Sequence, residues 1–278
     1  MKITAFLAAT YILDCCLVRT KPCKYFQLNS PYFNEEKGIF SKMEIDQLIP
    51  VEWRLDQRYE DGCWMPQNYP VFLKPEWGEN AGGIYRADNP DQLVGYRNQI
   101  KNAKVNYLIQ CGATELREFE IFALRDYKDS STYSIMSITE ARNECEQNPI
   151  NSINNKDTCY QDITDHFTGS QKQFLWKILE RIGSFGIARL SVRSDSIDDL
   201  LAKKFHVIEL NLFTPMPIHM MDNKYSRRDL AEMIWEYMMK LAKLTRVRDK
   251  SRPEKAVYTK LMLYNRSGAF AKFIREIV

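Results

Sequence analysis

The chain has 278 residues, of which 45% are hydrophobic, and its 39 basic and 36 acidic side chains give a net charge of +3. That length and apolar content suffice to bury an ordinary core, in one compact domain or in two small lobes that share a cleft. The near balance of charge gives no field that favours nucleic acid, so we expect no nucleic-acid partner.

The number and spacing of the cysteines and histidines indicate which metal sites and which cellular compartments the sequence favours. The seven cysteines form no CxxC pair and only three histidines are present, so the spacing of a standard zinc site is absent. An odd number of cysteines also argues against a complete disulfide framework. The sequence therefore favours a reducing, cytoplasmic setting over secretion.

The N-terminal residues 3–18 are apolar apart from Asp14 and a few small polar side chains. The run is shorter than the roughly 20 residues of a membrane-spanning helix, and an acidic side chain lies inside it. We expect a buried or interfacial helix, which would allow peripheral contact with a membrane. A cleaved signal peptide is the alternative, because a basic start precedes the apolar run.

After this helix the pattern predicts mostly short strands. Prolines make residues 21–68 irregular, with one short helix near 42–48. Asn89 and Pro90 are typical of a helix cap and a first helical residue. The segment 139–165 is polar and rich in asparagine, and it predicts a helix start followed by a mobile loop. Strands, including one antiparallel pair, are predicted at 70–75, 105–110, 117–125 and 133–139.

The rest of the chain has clearer periodicity. Residues 171–182 have the apolar spacing of an amphipathic helix that ends at Gly183. Two strands are predicted next, at 186–193 and 205–211, and everything after Asp222 is predicted to be helical.

Polar residues recur at alternate positions on these two strands. Alternation places Glu209 and Asn211 on one face, where both oxygens can reach one magnesium ion. On the preceding strand Arg189, Ser191 and Arg193 share a face, and if the strands pair, this row faces the first. Two arginines beside a carboxylate can stabilise charge on a phosphate. The alternatives are solvated polar residues at a strand end and a structural salt bridge across the pair.

Lys74 ends the strand at 70–75 and precedes a glycine-containing loop at 78–83. An ammonium at this point can meet a phosphate, although most lysines are simply solvated. The phosphate-loop pattern GxxxxGK[ST] and the dinucleotide pattern GxGxxG are both absent.

Together these elements resemble the ATP-grasp superfamily, in the branch that includes D-alanine-D-alanine ligase. The resemblance covers residues 69–222. Its motifs are Pro70-Val-Phe-Leu-Lys-Pro75, the loop at 78–83, Tyr107-Leu-Ile-Gln110, Arg117-Glu-Phe-Glu120, Gly186-Ile-Ala-Arg-Leu-Ser-Val-Arg193 and Val207-Ile-Glu-Leu-Asn211. The last resembles the family's Glu-x-Asn metal strand and is the most specific match.

The resemblance implies an α+β fold in which two α+β subdomains clamp ATP between antiparallel sheets. It also implies three parts: a leader and wrapping segment at 1–68, an ATP-grasp core at 69–222, and a helical segment packed on the core at 223–278. The first part is similar to uncharacterised ATP-grasp proteins with a short leader and not to the usual substrate lobe.

Roles for individual residues follow from the same resemblance. The residues implied to contact ATP are Lys74, Gly82 and Gly83 at the phosphates, Gln110 on the adenine side and Glu118 at the ribose. Arg189 would steady the acyl-phosphate or its tetrahedral successor, while Glu209 and Asn211 would hold Mg²⁺. Arg193 and Asp222 are candidates for contact with substrate or phosphate.

The implied function is an ATP-dependent ligase that activates a small carboxylate for attack by an amine or similar nucleophile. Ser191 departs from the family pattern, which has an acidic magnesium ligand in Gly-x-x-Arg-x-Asp. An ATP-binding pseudoenzyme or scaffold is therefore one alternative. A secreted interaction protein is another. The sequence leaves the oligomeric state open.

Overall fold

The computed structural model describes residues 3–78, 81–143, 145–146, 149–247 and 254–264. Seven α-helices occur in these ranges: Ile3–Leu17 (α1), Lys42–Asp46 (α2), Pro90–Ile100 (α3), Gly169–Ile182 (α4), Ile197–Leu201 (α5), Arg227–Val247 (α6) and Val257–Tyr264 (α7). Short 3-10 helices lie at Pro22–Gln27, Ser30–Tyr32, Val51–Trp53, Thr164–His166 and Ile218–Met221.

The same ranges contain nine strands: Gln57–Tyr59 (β1), Val71–Pro75 (β2), Tyr85–Ala87 (β3), Tyr107–Cys111 (β4), Arg117–Arg125 (β5), Tyr133–Asn143 (β6), Thr158–Asp162 (β7), Ile187–Ser194 (β8) and His206–Asn211 (β9). They form a four-stranded sheet in the order β1-β4-β2-β3 and a five-stranded sheet in the order β7-β6-β5-β8-β9. Every named pair in both sheets is antiparallel. The predicted α+β class with two antiparallel sheets is therefore confirmed.

The four-stranded sheet has a small core of its own. Val71 and Leu73 on β2 are fully buried and pack with Leu93 of α3. The predicted start of α3 is confirmed, because the Asn89 side chain accepts a hydrogen bond from the Gln92 backbone N–H at 2.9 Å.

One face of the five-stranded sheet contributes to the largest core cluster, in which α4 takes part. Alternate residues of β5 and β8, such as Phe119 and Leu190, meet Leu175 and Leu179 of the helix in the largest core cluster. The predicted amphipathic helix is thus confirmed, beginning two residues earlier than expected, at Gly169.

The opposite face of this sheet is divided into an apolar and a polar half. At the apolar half, Phe122 and Ile187 pack with Met238 of α6 and Leu7 of α1. Helix α1 lies against α6, confirming the predicted N-terminal helix. In the described part of the chain, no helix has both the length and the apolar character needed to cross a membrane. The polar half carries the candidate site.

Strand β9 contains a β-bulge. Leu190 pairs with Leu210 and Val192 pairs with Val207, so Ile208 is the additional residue on β9. The bulge lets both Val207 and Leu210 enter the apolar core while Glu209, between them, faces the polar half.

The predicted helix start within residues 139–165 is wrong, and so is the loop over β7, but the loop prediction fits residues 149–157, which lie in neither a helix nor a strand. Strand β6 runs on to Asn143, and β7 pairs with it as an edge strand where a helix start and a loop were expected. An edge strand has one neighbour, and in β7 only Tyr160 is buried, so the polar composition concealed the strand.

Candidate functional site

The two sheets meet at β9. The Ile208 carbonyl, on the bulge, accepts hydrogen bonds from the Lys74 ammonium at 3.1 Å and from the Gln110 amide at 3.3 Å. Lys74 belongs to β2 and Gln110 to β4, the two central strands of the smaller sheet. One backbone oxygen of the larger sheet therefore bonds two of the predicted ATP-binding residues.

Strand register brings the predicted polar rows together. Asn211 lies opposite Arg189, and Glu209 lies opposite Ser191. The predicted facing of the two rows is confirmed. On the other side of β8, Glu120 lies opposite Ser191.

Glu120 is a site residue that the sequence reasoning missed. Its carboxylate accepts a hydrogen bond from the Ser191 hydroxyl at 2.8 Å and forms an ion pair with Arg189 at 3.0 Å. Burial raises the pKa of Glu120, while Arg189 opposes the rise. The detectable signal was alternation on β5, which places Glu118 and Glu120 on one face.

Glu118 and Arg193 form a second buried ion pair. The Glu118 carboxylate lies 3.0 Å from the Arg193 guanidinium and also accepts a hydrogen bond from Asn151 at 3.0 Å. Burial raises the pKa of Glu118 to about 7, although Arg193 opposes the shift. The ribose role of Glu118 stays a prediction, and a ribose hydroxyl would have to share this carboxylate with its present partners.

Glu209 has a partner that the sequence did not reveal. The Lys42 ammonium lies 2.6 Å from its carboxylate and also donates a hydrogen bond to the Gly78 carbonyl at 3.2 Å. Burial would raise the pKa of Glu209, but Lys42 and Lys74 outweigh it and lower the pKa to about 2. Burial lowers the pKa of Lys74 to about 8. No local pattern connects positions 42 and 209, so only the fold shows this contact.

The predicted glycine loop connects β2 to β3. Gly82 and Gly83 lie in an exposed turn, and residues 79–80 lie outside the described ranges. Gly83 has a φ of +75°, and a Cβ there would lie 2.9 Å from the Tyr107 hydroxyl. The positive φ therefore favours glycine at 83, and any larger residue would also require the Tyr107 side chain to shift.

The two remaining predicted site residues, Asn211 and Asp222, form hydrogen bonds with other parts of the chain. The Asn211 side-chain oxygen accepts a hydrogen bond from the Phe213 backbone N–H at 3.2 Å. Asp222 accepts one from the Asp162 backbone N–H at 2.7 Å, which fixes it beside β7. Strands β7 and β9 are opposite edges of the sheet, so the structure does not bring Asp222 to Glu209.

The side-chain oxygens that meet at this site are suitable ligands for a hard cation such as Mg²⁺. Glu209, Asn211 and Glu120 supply carboxylate and amide oxygens on one face, the ligand type that Mg²⁺ prefers. No cluster of three or more His, Cys, Asp or Glu side chains that could hold a metal occurs among the residues the structure describes. A magnesium ion here would thus take most of its coordination shell from water and from the oxygens of a bound small molecule.

Comparison with known proteins supports the fold. No protein-family model matches the chain, and no curated protein matches its sequence. The VanG D-Ala:D-Ser ligase from Enterococcus faecalis superposes with a TM-score of 0.51 at 10% identity, covering 78% of this chain and 70% of that one. At this identity the likeness shows the fold alone.

Two further solved structures are similar at lower scores. The L-amino acid ligase from Bacillus licheniformis has a TM-score of 0.47 at 14% identity, over 72% of this chain and 47% of that one. D-alanine-D-alanine ligase from Helicobacter pylori has 0.46 at 14% identity, over 77% and 59%. The chain therefore spans about half of these two proteins.

Proposed function

Because this chain has the ATP-grasp fold, we propose that it is an ATP-dependent ligase that joins a small carboxylate to an amine or similar nucleophile. The observation that carries the proposal is the meeting of Lys74, Gln110 and Glu209 where the two sheets join. Charged groups whose pKa values are perturbed, such as Lys74 and Glu209, cluster at functional sites. We assign residues 69–222 to the catalytic core and residues 1–68 and 223–278 to the segments that flank it, of which 1–2, 248–253 and 265–278 lie outside the described residues.

ATP would lie between the sheets, with its phosphates at Lys74 and the turn of Gly82 and Gly83. A phosphate beside Lys74 would stabilise an ammonium that burial disfavours. Gln110 would contact the adenine side, and Glu118 the ribose.

Magnesium would be held by Glu209 and Asn211, with Glu120 as a further carboxylate on the same face. When bound, it would neutralise charge on the phosphates as the phosphoryl group transfers. Glu120 and Ser191 would shape the site, since their hydrogen bond fixes both side chains.

The chemistry is proposed to run in two steps. A carboxylate oxygen attacks the γ-phosphorus, the bond to ADP breaks, and an acyl-phosphate forms. The nucleophile then attacks the acyl carbon, and inorganic phosphate leaves with the bonding electron pair. Arg189, already bound to Glu120, would stabilise the negative charge that develops on the acyl oxygen. Arg193, through its ion pair with Glu118, would support the arrangement of Arg189 and Glu120 beside it.

The second candidate is an ATP-binding pseudoenzyme, which Ser191 favours because it removes a carboxylate from β8. Release of ADP, with a panel of carboxylates and amines at several magnesium concentrations, distinguishes the two. The ligase predicts turnover that Glu209→Ala abolishes. ATP binding without turnover for any substrate pair would instead establish the pseudoenzyme. We also propose a cytoplasmic setting, because the number and spacing of the cysteines in the sequence are not those of a disulfide framework.

A further inference from the structure

Helix α1 has apolar side chains on its packed side and also on its exposed side. The packed side lies against α6, where Leu7 packs with Met238. The i, i+3, i+4, i+7 and i+8 positions of the other side share one face of the helix. They form an outer stripe of five exposed residues: Ala9, Ile12, Leu13, Cys16 and Leu17. A continuous exposed apolar face of this kind is typical of an interaction surface.

The outer stripe has no acidic side chain within it or close behind it. Asp14 is the only acidic residue of α1, and it is 0% exposed, whereas Leu13 and Leu17 are 51% and 57% exposed. Residues 15–34 contain no acidic side chain and a basic segment of three residues: Arg19, Lys21 and Lys24. The outer stripe is therefore followed directly by positive charge.

Arg19 has the backbone conformation that glycine usually provides at the end of a helix. Its φ is +56°, its N–H donates to the Cys16 carbonyl at 3.2 Å, and the Thr20 N–H donates to the Cys15 carbonyl at 2.9 Å. These two bonds form a Schellman motif, in which the left-handed position is most often glycine. An arginine is less stable there than glycine, so the fold carries this positive charge at some cost in stability.

Tyr11 holds the basic segment beside α1. Its hydroxyl donates to the Pro22 carbonyl at 3.2 Å, and its ring meets the Tyr25 ring edge-on, with 5.8 Å between centroids. Both contacts lie within the short helix that follows Lys21 and contains Lys24. The basic segment and the outer stripe therefore belong to one fixed surface.

We propose that the outer stripe and the basic segment form a docking surface for an anionic phospholipid membrane, with α1 lying parallel to the bilayer. The apolar side chains enter the boundary between headgroups and acyl chains, and the basic side chains contact the negatively charged headgroups. This surface is separate from the candidate site, because α1 packs on the apolar half of the larger sheet and the site occupies the polar half.

The test is co-sedimentation of the full chain with phosphatidylcholine vesicles, prepared with and without phosphatidylserine. We expect binding to the vesicles that contain phosphatidylserine, and we expect added salt to weaken it by screening the attraction. Arg19→Gln/Lys21→Gln/Lys24→Gln should reduce the affinity on the order of 100-fold, since each basic residue near an anionic surface contributes about fivefold.

A matched control removes three exposed positive charges elsewhere on the molecule, in Lys101→Gln/Lys104→Gln/Lys204→Gln. This variant should bind the vesicles as the parent does. Equal affinities of the two triple variants would overturn the role of the basic segment.

Ile12→Ala/Leu17→Ala tests the outer stripe while keeping the helix propensity of α1. Its affinity for vesicles with phosphatidylserine should fall roughly 20-fold, because burial of each half-exposed side chain contributes about fivefold. Val51→Ala is the control, since Val51 is 77% exposed and lies outside α1. An affinity of Ile12→Ala/Leu17→Ala equal to that of the parent would contradict the proposal.

Sedimentation velocity without vesicles separates a lipid partner from a second copy of the chain. A parent that is dimeric, with Ile12→Ala/Leu17→Ala monomeric, would assign the outer stripe to self-association and overturn the membrane proposal. A parent that binds neither kind of vesicle would also overturn it. The proposed ligase activity would stand in either case, because release of ADP measures it separately.

Discussion

Position 191 shows how one side chain affects its neighbour across the strand pair. Ser191 donates its hydroxyl to the Glu120 carboxylate at 2.8 Å, and both side chains are buried. An acidic residue at 191 would place two carboxylates directly opposite each other. The carboxylate that accompanies Glu209 on this face is therefore Glu120 on β5, one strand away from where the family pattern has it.

Ser191→Asp should therefore destabilise the fold by about 1–3 kcal/mol at neutral pH, because like charges are forced together in a buried site. Adding Glu120→Ser to Ser191→Asp should recover most of the loss. Urea unfolding of the two variants measures this, with the uncharged, isosteric Ser191→Asn as the control. Equal losses in Ser191→Asp and Ser191→Asn would assign the effect to size and not to charge.

His219 gives a pH dependence with a defined sign. It is buried, its Nε2 lies 3.2 Å from the Tyr237 hydroxyl, and burial lowers its pKa to about 4 from a model-peptide value of 6.5. Between these values the unfolded chain binds a proton that the folded protein does not. The stability from neutral His219 is complete above about pH 6.5 and is lost as the pH falls towards 4.

In His219→Gln this contribution should disappear. The free energy of unfolding of the parent should fall relative to the variant by roughly 1 kcal/mol per pH unit within that window. Comparing the two proteins cancels titration at sites that do not interact with His219, which excludes Asp162. Parallel curves for parent and variant between pH 6.5 and 4 would show that His219 is already protonated in the folded state.

At the scale of elements, local signals decided which predictions succeeded. Helix α3 has a recognisable cap at Asn89, and α4 has regular apolar spacing that ends at Gly183, so the positions of both helices could be predicted. Strands β1 and β3 have three residues each and depend on pairing with β4 and β2, which no local pattern encodes. The same limit concealed β7.

Helix α1 has a packed side and an exposed side, which can be tested separately. Leu7 is 9% exposed and packs towards α6, whereas Leu13 is 51% exposed. Leu7→Ala should lower the free energy of unfolding by about 2–4 kcal/mol.

Leu13→Asp should leave thermal unfolding nearly unchanged and should weaken any binding to anionic vesicles, the predicted membrane contact. Vesicle co-sedimentation of the parent equal to that of Leu13→Asp would remove the membrane role.

At the scale of the whole molecule, the candidate site is an assembly of distant segments. Alternation predicted Arg189, Ser191, Glu209 and Asn211 as facing rows, because that pattern is local to two strands. Lys42 could not be predicted, since 167 positions separate it from Glu209. Glu120 needed the β5–β8 register, which sequence alone does not fix.

Binding of Mg-ATP across both sheets should stabilise the entire fold. At one hundred times Kd the gain is about 2.7 kcal/mol, or roughly 5–10 °C in the unfolding temperature. Lys74→Ala and Glu209→Ala should each reduce that rise, while Lys204→Ala, at an exposed surface position, should not. Shifts of equal size in all three variants would place the nucleotide elsewhere.

The bulge at Ile208 has a consequence for how this site tolerates change. The extra residue shifts the alternation of side chains along β9 by one position, so that Val207 and Leu210 enter the core and Glu209 faces the site. What the position contributes is a length of backbone and a carbonyl oxygen, and neither depends on which side chain is there. Substitutions at 208 are therefore compatible with the site, whereas a deletion would leave Glu209 opposite Ser191 in a regular strand but remove the carbonyl that Lys74 and Gln110 share.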